Sequence, residues 1–205
     1  MSYEKLILKN VRLSYHDFDP EASGKSKYQA EFLLSEDHPQ LEEVTAFFYE
    51  SLKNFRALDP IKKAKATWKY SPLVSGNSKN EERESAGKDR YDFLDGHFIL
   101  KANSGIKIKP AFVDNLKNKV SDVGSVFYQG CYVNAILSVS PTAEMEIEIE
   151  TGKQKMILCN RYLNAVMFAG HGSSIGSSGG GADLSVFETV SDIGTPEDSE
   201  DDMPF

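Results

Sequence analysis

Side chains able to do chemistry are thinly spread along the 205 residues. His16, His38, His97 and His171 lie far apart, and none stands at metal-ligand spacing from Cys131 or Cys159. Each cysteine sits inside an apolar run, the setting of a buried free thiol, while spacing alone leaves a disulfide open. No Gly-rich loop ends in the Lys-Ser/Thr pair that holds nucleotide phosphates. Glu144, Glu146, Glu148 and Glu150 form a period-two row facing Lys153 and Lys155, the pattern of a solvated sheet surface with cross-strand charge pairs. A metal-dependent nuclease using that row is the weaker alternative. The expectation is a protein that is not an enzyme and has no metal or cofactor.

What does cluster is positive charge with flat rings. Lys62, Lys63, Lys65 and Lys69 crowd around Trp68 and Tyr70, with Asp59 nearby. Lys101, Lys107 and Lys109 precede Phe112, and Lys117 and Lys119 follow. Tyr128 and Tyr132 fall on one strand face, which Asn134 continues. Cations that track phosphates, alternating with rings on which bases stack, are what an unpaired strand requires. A single ring at strand spacing is more often core than platform. Phe32, Phe93, Phe98 and Phe127 are assigned to the core.

The net charge of −8 opposes binding to a polyanion until it is located. Residues 182–205 hold eight acids and no Lys or Arg, so 23 of the 31 acids remain to face 23 basic residues in the body. A neutral globule with a polyanionic tail points to an interaction segment. Gly170 to Gly181 is Gly/Ser-rich without a hydrophobic period, hence a flexible linker. Three segments are expected: a body over 1–169, a linker over 170–182 and an acidic, disordered partner-binding tail over 183–205. No apolar run reaches the roughly 20 residues that span a bilayer, and a cytoplasmic setting without membrane is expected.

The elements that must position these groups are mostly strands. Residues 5–15 are rich in β-formers, and Tyr28, Ala30, Phe32 and Leu34 alternate along 27–34. His97–Lys109 predicts two short strands broken at Asn103-Ser104-Gly105, and Val126–Val139 one long strand bent at Gly130. Glu144–Leu158 predicts a hairpin turning near Thr151-Gly152. Leu41, Val44, Phe48, Leu52 and Phe55 give one amphipathic helix ending near Arg56, and Val74–Arg90 reads as a long polar loop. The fold class is mainly β: an OB-fold-type barrel with one helix.

The ending Asp201-Asp202-Met203-Pro204-Phe205 resembles the acidic tip of bacterial and phage single-stranded DNA-binding proteins, typically Asp-Asp-Asp-Ile-Pro-Phe. Its ring and chain-end carboxylate suit capture by a basic, apolar pocket on a partner. The body resembles a phage family of OB-fold single-stranded DNA-binding proteins. That likeness rests on residues 9–15, Lys27-Tyr28, Trp68-Lys69 with Pro72-Leu73 and Gly76, residues 98–102, and Gly130 to Ala135. Leu158–Val166 corresponds to a family stretch usually written Gly-Leu-Asn-x-Val-Gln, from which Arg161-Tyr162 departs. The resemblance implies protection of single strands in phage replication or recombination, with replication or repair proteins recruited by the tail. A recombination mediator or annealing protein shares these features, a protein-only adaptor is a further rival, and a homodimer is compatible. The expected DNA-binding set is Lys27, Tyr28, Lys65, Trp68, Lys69, Tyr70, Arg90, Lys101, Lys107, Lys109, Phe112, Tyr128 and Tyr132. The expected partner-binding set is Asp201, Asp202, Met203, Pro204 and Phe205.

Overall fold

The structure is a computed structural model describing residues 4–57, 67–149 and 152–175, with 143–149 and 152–155 described by strand pairing alone. Alternation of apolar and polar residues builds its strands. In β2 (Lys27–Ser35) the residues Tyr28, Ala30, Phe32 and Leu34 are buried, as alternation requires. β1 (Glu4–Asp17) pairs antiparallel with β2, and β2 with β5 (His97–Gly105). β7 (Tyr132–Ile149) and β8 (Gly152–Gly170) form the expected hairpin, whose register sets Glu146 opposite Lys155 and Glu148 opposite Lys153.

β7 returns to β1, and β8 meets β5 in parallel at Asn103 and Tyr162. The five long strands thereby close in the order β1-β2-β5-β8-β7, a partly open barrel of the OB-fold type. The short strands β3 (Thr67–Trp68) and β6 (Ala111–Val113) add to β8, and β4 (Leu73–Ser75) adds to β5. α1 (Leu41–Ala57) follows β2 in sequence and precedes β3. Val44 and Phe48 enter the barrel core, while Leu52 and Phe55 pack with Ile157 and Trp68.

Four local expectations change. Val74–Arg90 is not a loop throughout: Gly76–Ser85 forms a second helix, α2, capped where Ser78 N–H donates to Ser75 Oγ. Its packing rests on few groups, so no apolar stripe announces it. The long strand begins at Tyr132 instead of Val126, because Val126 caps the 3₁₀ turn Val123–Ser125 in a helical conformation and Gly130 at φ +109° turns the chain. β5 runs unbroken through Asn103-Ser104-Gly105, held by full pairing to β2, and the second strand falls at Ala111–Val113. The Gly/Ser stretch is packed at its start. Ile175 N–H donates to Gln129 O at 3.1 Å, and the Ile175 side chain is buried with Leu33, Leu94 and Ile99. The rest of the linker and the whole acidic tail lie outside the described residues.

Both cysteines are free thiols, Cys131 buried and Cys159 half-buried. No described helix is long and apolar enough to cross a membrane.

Candidate nucleic-acid interface

Pairing that turns Tyr28, Ala30 and Phe32 inward turns Gln29 and Glu31 outward, beside Asn103 and Lys101 of β5. This outer face of β1, β2 and β5 is the floor of an open cleft of about 470 Å³. Ser14, Tyr15, Gln29, Glu31, Ile99 and Lys101 form its floor, and Lys79, Arg83, Tyr91, Phe93 and Leu94 its wall. Three cations, Lys79, Arg83 and Lys101, face one acid, Glu31. Lys101 donates to Glu31 and Lys79 pairs with Glu82 at 2.9 Å, so part of that charge is internally screened. The excess remains positive.

Rings stand at the same wall. Tyr91 and Phe93 stack with centroids 5.2 Å apart and planes inclined by 18°. The Arg83 guanidinium lies 3.7 Å from the Tyr91 centroid, a cation–π contact. Asn80, fully buried on α2, holds this group in place. Its Nδ2 donates to Tyr91 O at 3.1 Å and to Asp95 Oδ1 at 2.8 Å, and its Oδ1 accepts from Tyr91 N–H at 3.0 Å. α2 can approach so closely because residue 76 is glycine: a Cβ there would stand 1.9 Å from Leu94 O. Asp95 also accepts two bonds from Arg90 at 2.9 and 3.0 Å, and hydrogen bonds from Arg90 and then Asn80 hold its carboxyl below the usual carboxylate range. Lys25 Nζ donates to the hydroxyl of the floor residue Tyr15 at 2.6 Å.

The structure divides the sequence-derived set. Lys101 lines the cleft. Lys27, at the start of β2 opposite Gly105, and Lys107 and Lys109, in the loop after β5, are exposed beyond one end of the same face. Arg90 is exposed but engaged by Asp95 and by Glu84 at 3.3 Å. Tyr70 is 66% exposed, with Lys69 Nζ 5.2 Å from its ring centroid, whereas Trp68 is half-buried against Leu52 and Ile157. Tyr28 and Phe112 are corrected to the core. Phe112 packs on Phe18 at 4.6 Å and Tyr28 on Phe112 at 6.3 Å, leaving no face for a base. Phe93 and Phe98, expected in the core, are half-buried. Lys65 and the five tail residues lie outside the described residues.

Tyr128 and Tyr132 are half-buried where the chain leaves the barrel. The Tyr128 hydroxyl lies 3.0 Å from both the amide and the carbonyl of Gly172, and its ring stacks on His171. Arg12 donates to both the carbonyl and hydroxyl of Ser173 at 2.7 Å. The root of the tail is thus fastened beside Gln129, itself a cleft-lining residue. Tyr15, Lys79, Arg83 and Tyr91 are the cleft groups that sequence reasoning missed. Cations and rings do interleave over 79–93, but Glu81, Glu82, Glu84, Asp89 and Asp92 dilute the signal.

No curated protein matches the sequence. Among solved structures, the single-stranded DNA-binding protein of bacteriophage Enc34 superposes with a TM-score of 0.54 at 14% identity, covering 89% of this chain and 90% of that one. Its complex with single-stranded DNA gives 0.53 at 15% identity, covering 84% and 89%. The single-stranded DNA-binding protein gp2.5 of bacteriophage T7 gives 0.51 at 13% identity, covering 95% and 100%. These likenesses establish a shared fold. The family model described as the single-stranded DNA-binding protein of Enterobacter phage Enc34 matches residues 4–203, so the chain belongs to that family.

Proposed function

We propose that this protein binds single-stranded DNA without sequence readout, in the cleft over β1, β2 and β5, and catalyses no reaction. The observation that carries the reading is the Arg83–Tyr91–Phe93 group, set by buried Asn80 above a floor bearing Lys101. Rings supply stacking to any base, and the cations supply phosphate attraction. Lys27, Lys107, Lys109, Lys69 and Tyr70 extend the surface, with Tyr128 and Arg12 fastening residues 172–173 beside it and Tyr132 next to Gly172. The phage family relationship and the OB-fold barrel support the same reading.

Residues 183–205 form the partner-binding segment in this reading, tethered to the barrel through the rest of the Gly/Ser stretch, and Asp201 to Phe205 recruit replication or recombination proteins. Ile175 packs against Leu94 and Ile99, which also line the cleft, and this supports a reading in which the acidic segment competes with DNA. In the test, labelled oligo(dT) and duplex of equal length are titrated with the full chain and with a chain lacking Thr195–Phe205 across a salt series. Preference for oligo(dT), affinity falling steeply with salt, and equal or tighter binding after truncation are expected. Equal affinity for duplex, or a flat salt response, refutes the cleft. Loss of strand binding on truncation refutes the division between barrel and tail.

A further inference from the structure

Where β5 and β8 part beyond their single parallel contact, a second and smaller cavity of about 180 Å³ opens. Tyr70, Asn103, Leu158, Cys159, Asn160, Arg161 and Tyr162 line it. Arg161 is half-buried, and its Nη1 donates to Pro72 O at 3.1 Å. A guanidinium carries five N–H donors, and no carboxylate of the described residues lies within ion-pair distance of this one. The adjacent Cys159 offers no anion, because burial pushes its thiol up to about 11 and keeps it protonated at neutral pH. A partly desolvated cation that, among the described residues, is bonded to a neutral carbonyl and to no carboxylate favours an anion far more than a surface lysine does.

The cavity adjoins the face that carries the proposed cleft. Asn103 follows Lys101 on the outward face of β5, one side-chain repeat or about 7 Å farther along. Lys101 lines the large cleft and Asn103 the small cavity, so the two are neighbouring stations on one surface. Tyr70, two-thirds exposed, stands at the same cavity and offers a ring for the next base. The exposed side-chain amide of Asn103 supplies a neutral donor suited to an oxyanion, while Asn160 Nδ2 is engaged by Thr142 Oγ1.

We infer that Arg161 and its cavity form a phosphodiester-binding subsite, which takes one backbone phosphate of the bound strand as it leaves the main cleft over β5. This rests on the single-strand-binding reading above and names a contact within it. The guanidinium engages two phosphate oxygens, and Tyr70 stacks the adjoining base.

The test uses the full chain and Arg161→Gln, which keeps a donor for Pro72 O but loses the charge. Affinity for labelled oligo(dT) is measured across a salt series, together with the melting temperature. Expected are about tenfold weaker binding at low salt and a salt slope shallower by about 0.7, the loss of one phosphate contact on a single strand. An unchanged slope with affinity within about twofold overturns the subsite. Should Arg161→Gln melt early, Asn103→Asp on the exposed strand face takes its place. A carboxylate at the cavity mouth must weaken binding to a similar degree, and unaltered affinity again overturns the inference. Methylphosphonate substitution scanned along the oligonucleotide adds a direct readout. One position must weaken binding to the parent chain and be indifferent in Arg161→Gln, and absence of any such position counts against the subsite. If the parent chain binds no oligo(dT) at all, the failure belongs to the proposed function and not to Arg161.

Discussion

Tyr91 and Asn80 offer a decisive perturbation, because one is proposed to touch DNA and the other to act only through it. Asn80 bonds the backbone of Tyr91, not its ring, so Tyr91→Ala leaves those bonds in place. Stacking contributes roughly 1–3 kcal/mol per base, so Tyr91→Ala should weaken oligo(dT) binding by about 5- to 150-fold. Tyr91 is 40% exposed, and its removal should move stability by about 1 kcal/mol or less. Asn80→Ala is different in kind. It deletes three hydrogen bonds at 2.8, 3.0 and 3.1 Å around a fully buried amide. At about 1 kcal/mol each, the loss is roughly 3 kcal/mol, or about 6–12 °C in melting temperature for a chain of this size. Its effect on DNA should arise from releasing the Tyr91 ring. A double-mutant cycle read by fluorescence anisotropy at fixed salt tests this: the double variant should bind about as weakly as Tyr91→Ala alone. Additive losses would show that Asn80 contributes independently of the ring. Wild-type affinity in Tyr91→Ala would refute the stacking group altogether.

Three other outcomes follow from the packing. Phe112→Ala should destabilise the barrel by about 3–5 kcal/mol, while protein that remains folded binds oligo(dT) normally, since this ring belongs to the aromatic core. Chemical denaturation with parallel binding curves separates the two. Gly130→Ala should detach the segment 171–175, because a Cβ would stand 2.1 Å from Ser173 O at φ +109°. Faster amide exchange at Ile175 and earlier proteolysis near Gly172 would report it, and unchanged protection would contradict the fastening. Finally, burial holds the His16 imidazole below its ordinary pKa, with Asp17 opposing more weakly. The unfolded chain then binds more protons than the native one, so this contribution is full above about pH 6.5 and is lost as pH falls through the lower native value. Melting temperatures between pH 7 and pH 5 should decline less in His16→Phe than in the parent chain.

Much of the barrel was legible without coordinates. Alternation along residues 27–34 placed Tyr28, Ala30, Phe32 and Leu34 on one face, and the apolar spacing of 41–55 announced α1, because these patterns are set by local geometry and the demand to bury one side. The alternating glutamates also announced the last hairpin, whose register sets Glu146 and Glu148 opposite Lys155 and Lys153. Charge counting alone separated a neutral body from an acidic tail. α2 escaped notice because a helix that packs through Gly76 and Asn80 has no apolar stripe to reveal it. Composition could show rings and cations in company but not which rings turn inward. Phe112 and Tyr28 look like platforms in sequence, yet their strands aim them at Phe18 and the core. Tyr91 and Arg83, hidden among acids, are brought to the wall of the cleft only when α2 docks on β5. Likewise Arg161 gains its cavity only where β5 and β8 meet and then diverge. Local residue patterns decide which elements form and which side each buries; which outward groups become neighbours depends on long-range strand closure, and that no local pattern encodes.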